Sequence, residues 1–474
     1  MGGIDRRDRL LWWSAVSAIA LIGLALRIIA ARGGLWTDEA WSVIYAAQAR
    51  DAIGVFLRIN HDNNHHLNSL WLQAIGPAAP PILARVPSIA AGTLCIIVAA
   101  LFGRRRSLAA GIVAALLFAI APMLLAFGSE ARGYAMMLLA ALTMLLIVGD
   151  AIDGRPLRGA PAWLALVAVL GMFSHLTMVA AVAIATLWAY LEWRADRGAD
   201  AAMRATLKLM APAITGTALV IAFVFAAAAL SPTGLRVGGY NPFSARLFAG
   251  ALNDVALWSI GLGARWPWLV PICLGLLALV LLARPPQWLG SRARLYALLI
   301  IVVPAGILAV QAGNSSFPRY YLTSAIGLLL LLSESIARGL GGRPVMRVAA
   351  AALLAALIAV SAYRDHLLIQ EDRGRPDAAL ADMAALLPGG ARIAFPEPRL
   401  KGVVAVAAER TGYRARFAGG CSPADFLLAS RDMAPTPRTI ERCGVPMDAI
   451  DSSTTSPLTG DAWILYRPRK LAKP

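Results

Sequence analysis

The stretch Ala126–Tyr134, which reads AFGSEARGY, places polar residues in an otherwise apolar part of this chain. It places an acid, a guanidinium and a phenol (Glu130, Arg132 and Tyr134) between two apolar runs that are each long enough to cross a bilayer. Ionisable groups beside hydrocarbon are costly unless they are paired, hydrated or face a cavity. The stretch therefore predicts a membrane-spanning chain with a functional site at one membrane face.

The composition agrees with a membrane protein. Of 474 residues, 59% are apolar and 15% are charged, and the mean hydropathy is +0.65. A soluble chain of this length carries more charged residues. The net charge of +17 comes from Arg and Lys in short loops between apolar runs, which is the pattern that sets membrane topology. The predicted partner is therefore the lipid bilayer and not nucleic acid, whose binding modules interleave basic and aromatic residues.

Apolar runs long enough to be spans predict an all-α polytopic membrane protein with about eleven transmembrane helices. The runs are 10–31, 82–102, 107–127, 134–149, 162–173, 176–191, 208–230, 266–283, 293–312, 320–337 and 346–363. Residues 162–191 are long enough for one helix, but both ends of this region are basic. The positive-inside rule therefore favours two short passes with a turn at Ser174–Leu176.

With this number of spans, the basic loops fall on the cytoplasmic side and the polar clusters on the other side. The clusters are Thr37–Glu39, His61–His66, Glu130–Arg132, His175 and Arg319–Tyr321. Loop charge alone thus gathers these groups on the outer face. The N-terminal apolar run has no small-residue cleavage site after it and is predicted to remain as an anchor.

From about residue 364 the sequence becomes polar and contains frequent Pro and Gly residues. We therefore predict a transmembrane domain at 1–363 and a small α/β domain at 364–474 on the outer side. A helix is expected near 377–387, and strands are expected at 392–395, 426–429 and 463–466. Cys421 and Cys443 lie in this outer domain, where an oxidising compartment favours a disulfide between them. Cys95 and Cys273 lie in apolar runs and are predicted to be packing residues.

Two acids, Asp38 and Glu39, open an amphipathic stretch after Thr37. One interpretation is a helix start that uses the acids for capping and for the helix dipole. The other is that one carboxylate is a general base toward an acceptor hydroxyl. Since the acids share a face with the other clusters, both are candidate catalytic residues.

Histidines supply a second group of candidates. The loop His61–His66 holds three of the five histidines of the chain, which suggests a divalent-metal or phosphate site that includes His65 and His66. The alternative is a hydrated loop that caps the next segment. His175 is a candidate substrate-binding residue at the predicted turn, and its alternative is a hydrogen-bonded turn histidine.

Arginines and tyrosines form the third group. Arg132 and Arg319 are candidates for gripping a phosphate, because a guanidinium binds phosphate with two parallel hydrogen bonds. Glu130, Tyr134 and Tyr320 stand beside them and are candidate substrate-binding residues. The alternative is that the Arg and Tyr side chains are ordinary interfacial anchors.

The order of these motifs resembles that of the GT-C membrane glycosyltransferases, in the branch of the protein mannosyltransferases and aminoarabinose transferases (the family 39 and 83 type). The similarity covers roughly residues 10–340. The motifs that carry it are Leu35–Trp41 (LWTDEAW), Asn63–Asn68 (NNHHLN), Arg85–Gly92 (RVPSIAAG), Ser129–Ala135 (SEARGYA), Phe173–Thr177 (FSHLT) and Phe317–Tyr321 (FPRYY).

The resemblance implies a GT-C fold and an enzyme that transfers a sugar, with inversion, from a polyprenyl-phosphate donor to a glycan, lipid or protein acceptor. It implies a multi-pass protein of the bacterial inner membrane with the site and the C-terminal domain on the periplasmic side. Asp38 is then the catalytic base with Glu39 beside it, and Arg132 and Arg319 bind the lipid phosphate. His65 approaches a divalent metal or the donor phosphate.

The chain departs from this family at two places. His66 and Leu67 follow His65 where many members have proline after the histidine, which weakens the metal prediction. His175 stands where the aminoarabinose branch tends to have lysine, so the sugar is not inherited from that branch. The chain has no Gly-rich phosphate loop, so no nucleotide is expected. The alternative function is a transporter or flippase of a lipid-linked saccharide, which would place ionisable groups near the bilayer midplane in both halves of the chain.

Overall fold

A computed structural model describes residues 6–59, 65–231, 234, 241–431 and 437–469. The loop residues His61–Asn64 that the sequence singled out lie outside the described residues. The helices of the described part are α1 (Arg6–Ala30), α2 (Thr37–Ala49), α3 (Ala52–Arg58), α4 (His66–Ile75), α5 (Pro81–Arg104), α6 (Leu108–Ile120), α7 (Pro122–Phe127), α8 (Tyr134–Ile152), α9 (Ala160–Ser174), α10 (Met178–Arg197), α11 (Ala199–Ala229), α12 (Ala245–Ile260), α13 (Leu269–Ala283), α14 (Arg292–Val310), α15 (Leu322–Leu340), α16 (Pro344–Glu371), α17 (Pro376–Leu386) and α18 (Arg399–Thr411).

The fold class predicted from composition is confirmed, because the structure is a helical bundle with a small C-terminal sheet. Within the described ranges, 7 helices are long and apolar enough to cross a membrane, and three apolar helices are shorter (α6, α9 and α13). Each predicted run coincides with a helix, and the run at 107–127 is divided into α6 and α7. The sequence did not predict α12, which is short and carries polar groups.

The predicted turn between two short passes is present between α9 and α10. His175 has an extended backbone (φ −164°) and ends α9. Its Nδ1 accepts a hydrogen bond from the backbone N–H of Thr177 at 3.1 Å, which stabilises the turn. Near the turn, the Ser174 carbonyl lies 3.2 Å from Nδ1 of His65. Toward the other end of α10, Glu192 is paired with Arg294 of α14 at 3.0 Å.

A buried arginine, Arg27, supplies a hydrogen-bond donor that the helix lacks at the break between α6 and α7. Pro122 has no N–H, so the carbonyl of Phe118, four residues earlier, has no helical donor. Nη2 of Arg27, on α1, donates to that carbonyl at 3.1 Å, and Nη1 donates to Gly23 O at 3.0 Å. A Cβ at Gly128 would lie 2.8 Å from Nε of Arg27, so a glycine is needed beside this guanidinium. The contact fixes the helix end that leads into the 129–134 loop.

The C-terminal unit is built on a six-stranded sheet of order β2-β1-β3-β6-β5-β4. Its strands are β1 (Ala391–Ala394), β2 (Ala415–Ala418), β3 (Phe426–Ser430), β4 (Thr439–Arg442), β5 (Val445–Ser452) and β6 (Trp463–Pro468). β1 pairs in parallel with β2 and β3, and the other pairs are antiparallel. α17, β1, β3 and β6 match the predicted elements, whereas the sequence did not predict the remaining strands. A disulfide joins Cys421 to Cys443, with Cα atoms 5.7 Å apart, as predicted.

The C-terminal unit packs directly on α2, the helix that begins at the predicted acidic motif. Buried side chains of α2, α17, α18 and the sheet form one hydrophobic cluster. Nε1 of Trp41 donates to the carbonyl of Arg399 at 2.9 Å. A Cβ at Gly402 would lie 2.9 Å from the indole of Trp41, so α18 approaches α2 closely. The unit is therefore part of the wall around the candidate site.

Candidate active site

Asp38 lies in the first turn of α2, and its side chain is 20% exposed. Its Oδ2 accepts a hydrogen bond from Nη1 of Arg132 and another from Nη1 of Arg319, the latter at 2.9 Å. Burial by itself raises the pKa of the Asp38 carboxyl, but the charges of Arg132 and Arg319 outweigh this effect and hold the pKa below its usual value. Asp38 is therefore ionised at neutral pH and remains in contact with solvent.

Glu39 is adjacent in sequence but has a different environment, since its side chain is completely buried. Nε and Nη2 of Arg85 donate to its two oxygens at 2.9 and 2.5 Å. The backbone N–H groups of Ala131 and Trp36 also donate to this carboxylate, at 2.7 and 3.3 Å. Four donors occupy the carboxylate, and it links α2 to α5 and to the 129–134 loop. This geometry fits a positioning role better than proton transfer.

Arg132 connects the acid to the histidine loop. Its Nε donates to Nε2 of His65 at 3.1 Å while Nη1 binds Asp38. Nε2 of His65 therefore accepts from Arg132, and Nδ1 lies 3.2 Å from both the Ser174 carbonyl and the backbone nitrogen of Gly133. Burial and the nearby Arg132 charge hold the pKa of His65 well below its usual value. His65 is neutral and orients the guanidinium of Arg132.

Three rings are packed behind this guanidinium. The Tyr134 ring lies 5.0 Å from the ring of His65 and 4.7 Å from that of His175, between centroids. Burial lowers the pKa of His175 to about 3, and the Arg132 and Arg319 charges act in the same direction. The guanidinium carbon of Arg132 is 5.3 Å from the Tyr134 centroid. These residues, predicted from separate motifs, form one cluster.

Arg319 approaches Asp38 from a 3₁₀ turn, Pro318–Tyr321, at the start of α15. Its guanidinium carbon lies 4.3 Å from the centroid of Phe317 and 5.7 Å from that of Tyr320. The Nε of Arg319 is buried and has no hydrogen-bond partner among the described residues. The aromatic rings of Phe317 and Tyr320 therefore flank the cation.

Glu130 lies in the same loop as Arg132 but is nearly completely buried, with 1% exposure. Its Oε1 accepts a hydrogen bond from the hydroxyl of Thr459, in the C-terminal unit, and its Oε2 has no partner within the described residues. Burial raises the pKa of Glu130 to about 7, against the opposing charges of Arg132 and Arg373. The structure therefore places it against the C-terminal unit.

The described histidines do not fit a divalent-metal site. In the part of the chain that the structure describes, no three His, Cys, Asp or Glu side chains form a group that could hold a metal. The ring nitrogens of His65 face Arg132 and the Ser174 carbonyl, and the ring of His66 stacks on Phe56 at 5.3 Å. A metal role for His65 and His66 stays a prediction, and no step below uses a metal.

Four residues of this region were not singled out as site residues from the sequence. Arg85 donates to Ala31, Arg32, Gly33 and Gly34 carbonyls besides Glu39, so it folds the α1–α2 connection around one guanidinium. Arg373, Thr459 and Asp461 reach the site from the C-terminal unit. An arginine near the start of an apolar run is a signal for Arg85, whereas the other three stand in no recognisable motif.

The described site carries excess positive charge around one carboxylate. Asp38 contributes one negative charge, and Arg132 and Arg319 contribute two positive charges at hydrogen-bond distance. Neutral His65 and His175 add none. Such an arrangement has the electrostatics and the donor geometry to bind an anion such as a phosphate group.

No protein-family model and no curated protein matches the sequence. Solved structures do match. The apo oligosaccharyltransferase of Archaeoglobus fulgidus aligns with a TM-score of 0.51 and 12% identity over 87% of this chain and 65% of that one. The same enzyme in complex with Zn and sulfate gives 0.46 and 14% over 88% and 68%. ArnT from Cupriavidus metallidurans bound to undecaprenyl phosphate gives 0.46 and 14% over 96% and 98%.

The chain spans about two thirds of the length of the oligosaccharyltransferase that it matches. At these identities the alignments show a similar fold only. The alignment to the apo enzyme, with a TM-score of 0.51, is the one that supports this similarity. The sequence predicted the helical bundle and the turn between α9 and α10, and the acidic motif stands at the start of α2. The chain therefore shares the fold of the apo oligosaccharyltransferase of Archaeoglobus fulgidus.

Proposed function

We propose that this protein is an inverting glycosyltransferase that moves a sugar from a polyprenyl-phosphate donor to an acceptor hydroxyl or amine of a glycan, lipid or protein. One observation supports this most: a partly exposed carboxylate, Asp38, shares one oxygen with two guanidinium groups from different loops. The fold and the motif order add to it. A base beside an anion site is what transfer from a sugar phosphate requires.

In the proposed reaction, the acceptor hydroxyl attacks the anomeric carbon from the face opposite the phosphate. The bond between the anomeric carbon and the phosphate oxygen breaks, and polyprenyl phosphate leaves with the bonding electron pair. Asp38 takes the proton of the acceptor. Arg132 and Arg319 stabilise the charge that grows on the phosphate. The donor is already activated, so the residues supply orientation, a base and cations, and no nucleotide is needed.

Donor binding also activates the base in this mechanism. In the ligand-free site, the arginines bind Asp38 and lower its pKa, which makes it a weak base. A donor phosphate competes with Asp38 for the same N–H groups of Arg132 and Arg319. When the arginines turn to the phosphate, the Asp38 carboxylate loses stabilising partners and becomes more basic. The acceptor is then deprotonated only when donor is present.

The proposed location is the bacterial inner membrane, with the site and the C-terminal unit on the periplasmic side. Basic loops lie at the end of the bundle away from Asp38, where Arg105 pairs with Asp150 and Arg292 with Glu334. The disulfide of Cys421 with Cys443 suits an oxidising compartment. We propose that residues 1–363 form the transferase domain and 364–474 the extracytoplasmic domain.

The test is a comparison of lipid-linked sugars and envelope glycans by mass spectrometry in cells with and without this chain. We expect cells without it to lose one sugar from a glycan, lipid or protein and to accumulate one polyprenyl-phosphate sugar. Cells that carry only Asp38→Asn should show the same change, and the matched variant Asp51→Asn should behave like wild type. Unchanged glycans and donor lipids in the deletion would refute the proposal. Movement of an intact lipid-linked saccharide, with no sugar transferred, would favour a flippase.

A further inference from the structure

The loop between β5 and β6 reaches the candidate site from the C-terminal unit. Oδ2 of Asp461 accepts a hydrogen bond from the backbone N–H of Thr37 at 2.8 Å. Thr37 is the first residue of α2, and its N–H is one of the donors that a helix start leaves without an internal partner. Asp461 thus caps α2 from a distance of 424 residues along the chain.

The same loop also contacts the 129–134 loop, which carries Arg132. The hydroxyl of Thr459 donates to Oε1 of Glu130, two residues before Arg132. Nη2 of Arg373, which follows α16, donates to the carbonyl and to Oγ of Ser129, both at 2.7 Å. Nη1 of Arg373 donates to Ala30 O at 2.5 Å, at the end of α1.

The segments around Arg373 and Asp461, which make these contacts, are packed closely against each other. The N–H of Asp461 donates to the carbonyl of Arg373 at 3.2 Å, and Nε1 of Trp463 donates to Gly374 O at 2.7 Å. Gly374 has φ +85°, and a Cβ there would lie 1.9 Å from the Asp461 carbonyl. Gly460 has φ +99°, and its Cβ would lie 2.5 Å from the Arg373 carbonyl. Both glycines are needed for this approach.

We propose that Asp461 and Thr459 are positioning residues of the active site, which hold the starts of its two catalytic segments so that Asp38 and Arg132 meet. Asp461 acts through the residue before Asp38, and Thr459 acts through the loop that carries Arg132. The inference rests on the proposed function for its effect on catalysis. Independently of any activity, the C-terminal unit orders α2 and the 129–134 loop.

The positioning roles of Asp461 and Thr459 are tested with the variants Asp461→Ala, Asp461→Asn and Thr459→Val in the full-length protein. Asparagine keeps an oxygen that accepts from the Thr37 N–H, and alanine does not. Asp448→Ala is the matched control, because Asp448 lies on the same sheet in an exposed ion pair with Arg469. Hydrogen–deuterium exchange of the peptide that contains Thr37 reports the local order, and kcat and KM for sugar transfer report its consequence.

We expect Asp461→Ala to speed exchange at the start of α2 by about tenfold or more, since local opening then needs one contact fewer. It should lower kcat by roughly 10- to 100-fold with little change in KM, because misplaced groups affect the reaction more than binding. Asp461→Asn should restore most of both properties, and Asp448→Ala should match wild type. Thr459→Val should speed exchange in the 129–134 loop.

Unchanged exchange at Thr37 in Asp461→Ala would overturn the proposal, as would a kcat equal to that of wild type. If Asp461→Ala fails to fold, Thr459→Val decides: normal exchange at 129–134 in that variant overturns it. If the wild-type protein transfers no sugar, the proposed function is wrong, while the exchange data still decide whether Asp461 orders α2.

Discussion

Glu39 and Arg85 form a completely buried, two-pronged ion pair, one residue away from the partly exposed Asp38. Two neighbouring acids that look equivalent in the sequence therefore have different environments. Glu39 joins α2 to α5 and accepts from Ala131, whereas Asp38 faces the two arginines. The pair fixes the backbone from which Asp38 projects.

Removal of one partner of this pair is expected to destabilise the protein. Glu39→Gln should lower the free energy of unfolding by about 3–5 kcal/mol, because Arg85 is left buried without its counter-ion. The measurement is thermal or denaturant unfolding in detergent. Asp150→Asn is the matched control, since its partner Arg105 is 36% exposed, and a change of about 0–1 kcal/mol is expected there. Equal effects for the two variants would contradict the assigned role of Glu39.

Asp38→Asn is expected to act mainly on turnover. The amide keeps a similar shape but accepts no proton, so turnover should fall about 10²- to 10⁴-fold while the protein remains folded. Purified protein with its prenyl-phosphate donor is the assay. A variant that keeps more than about a tenth of wild-type turnover would show that Asp38 is not the base.

The pH dependence of stability should reveal Glu130. Burial raises its pKa from the ordinary 4.5 to about 7 in the folded state. A raised acid pKa means that the folded state holds the proton more tightly, so this contribution is complete below about pH 4.5 and is lost as the pH rises through about 7. Glu130→Gln keeps an acceptor for Thr459 and does not titrate. The gap in unfolding free energy between the variant and wild type should therefore widen from pH 5 to pH 8 in favour of the variant, by on the order of 2 kcal/mol. A gap that does not change with pH would show that Glu130 titrates normally.

Topology can be tested with single cysteines at exposed positions in a Cys273→Ser background. Cysteines at Asp51 and Ser422 should react with a membrane-impermeant maleimide from outside, and cysteines at Ser107 and Gly198 should not. Gly198 tests the α9–α10 hairpin, because a single helix across 162–191 would move it to the outer face. Labelling of the cysteine at position 198 from outside would mean that all later spans have the opposite orientation.

Much of the fold follows from the sequence because apolar runs and loop charge act locally. The break at Ser174–Leu176 was predicted because loops near 155 and 197 are both basic, and the structure contains it. The site was predicted only as separate clusters on one face. Its pairings were not, because they join residues far apart: Asp38 meets Arg319 across 281 residues, and Thr37 meets Asp461 across 424. Thr459 and Asp461 stand in a polar segment with no pattern that marks them as partners of the membrane loops.

Gly133 separates Arg132 from Tyr134 and has no room for a side chain. A Cβ at this position would lie 1.9 Å from the Ser174 carbonyl and 2.9 Å from Nδ1 of His65. The first contact is to backbone, so the α9–α10 turn or the 129–134 loop must move to admit a methyl group. Either movement separates Arg132 from His65 or from Asp38, and a displacement of about 1 Å is enough to cost on the order of 10²-fold in rate. Gly133→Ala should therefore abolish most of the turnover and weaken the binding of a prenyl phosphate. Gly306→Ala is the matched control, because a Cβ there meets no atom within 4 Å, and it should keep wild-type turnover. A fully active Gly133→Ala would mean that the site tolerates a displaced Arg132, which contradicts its proposed role at the donor phosphate.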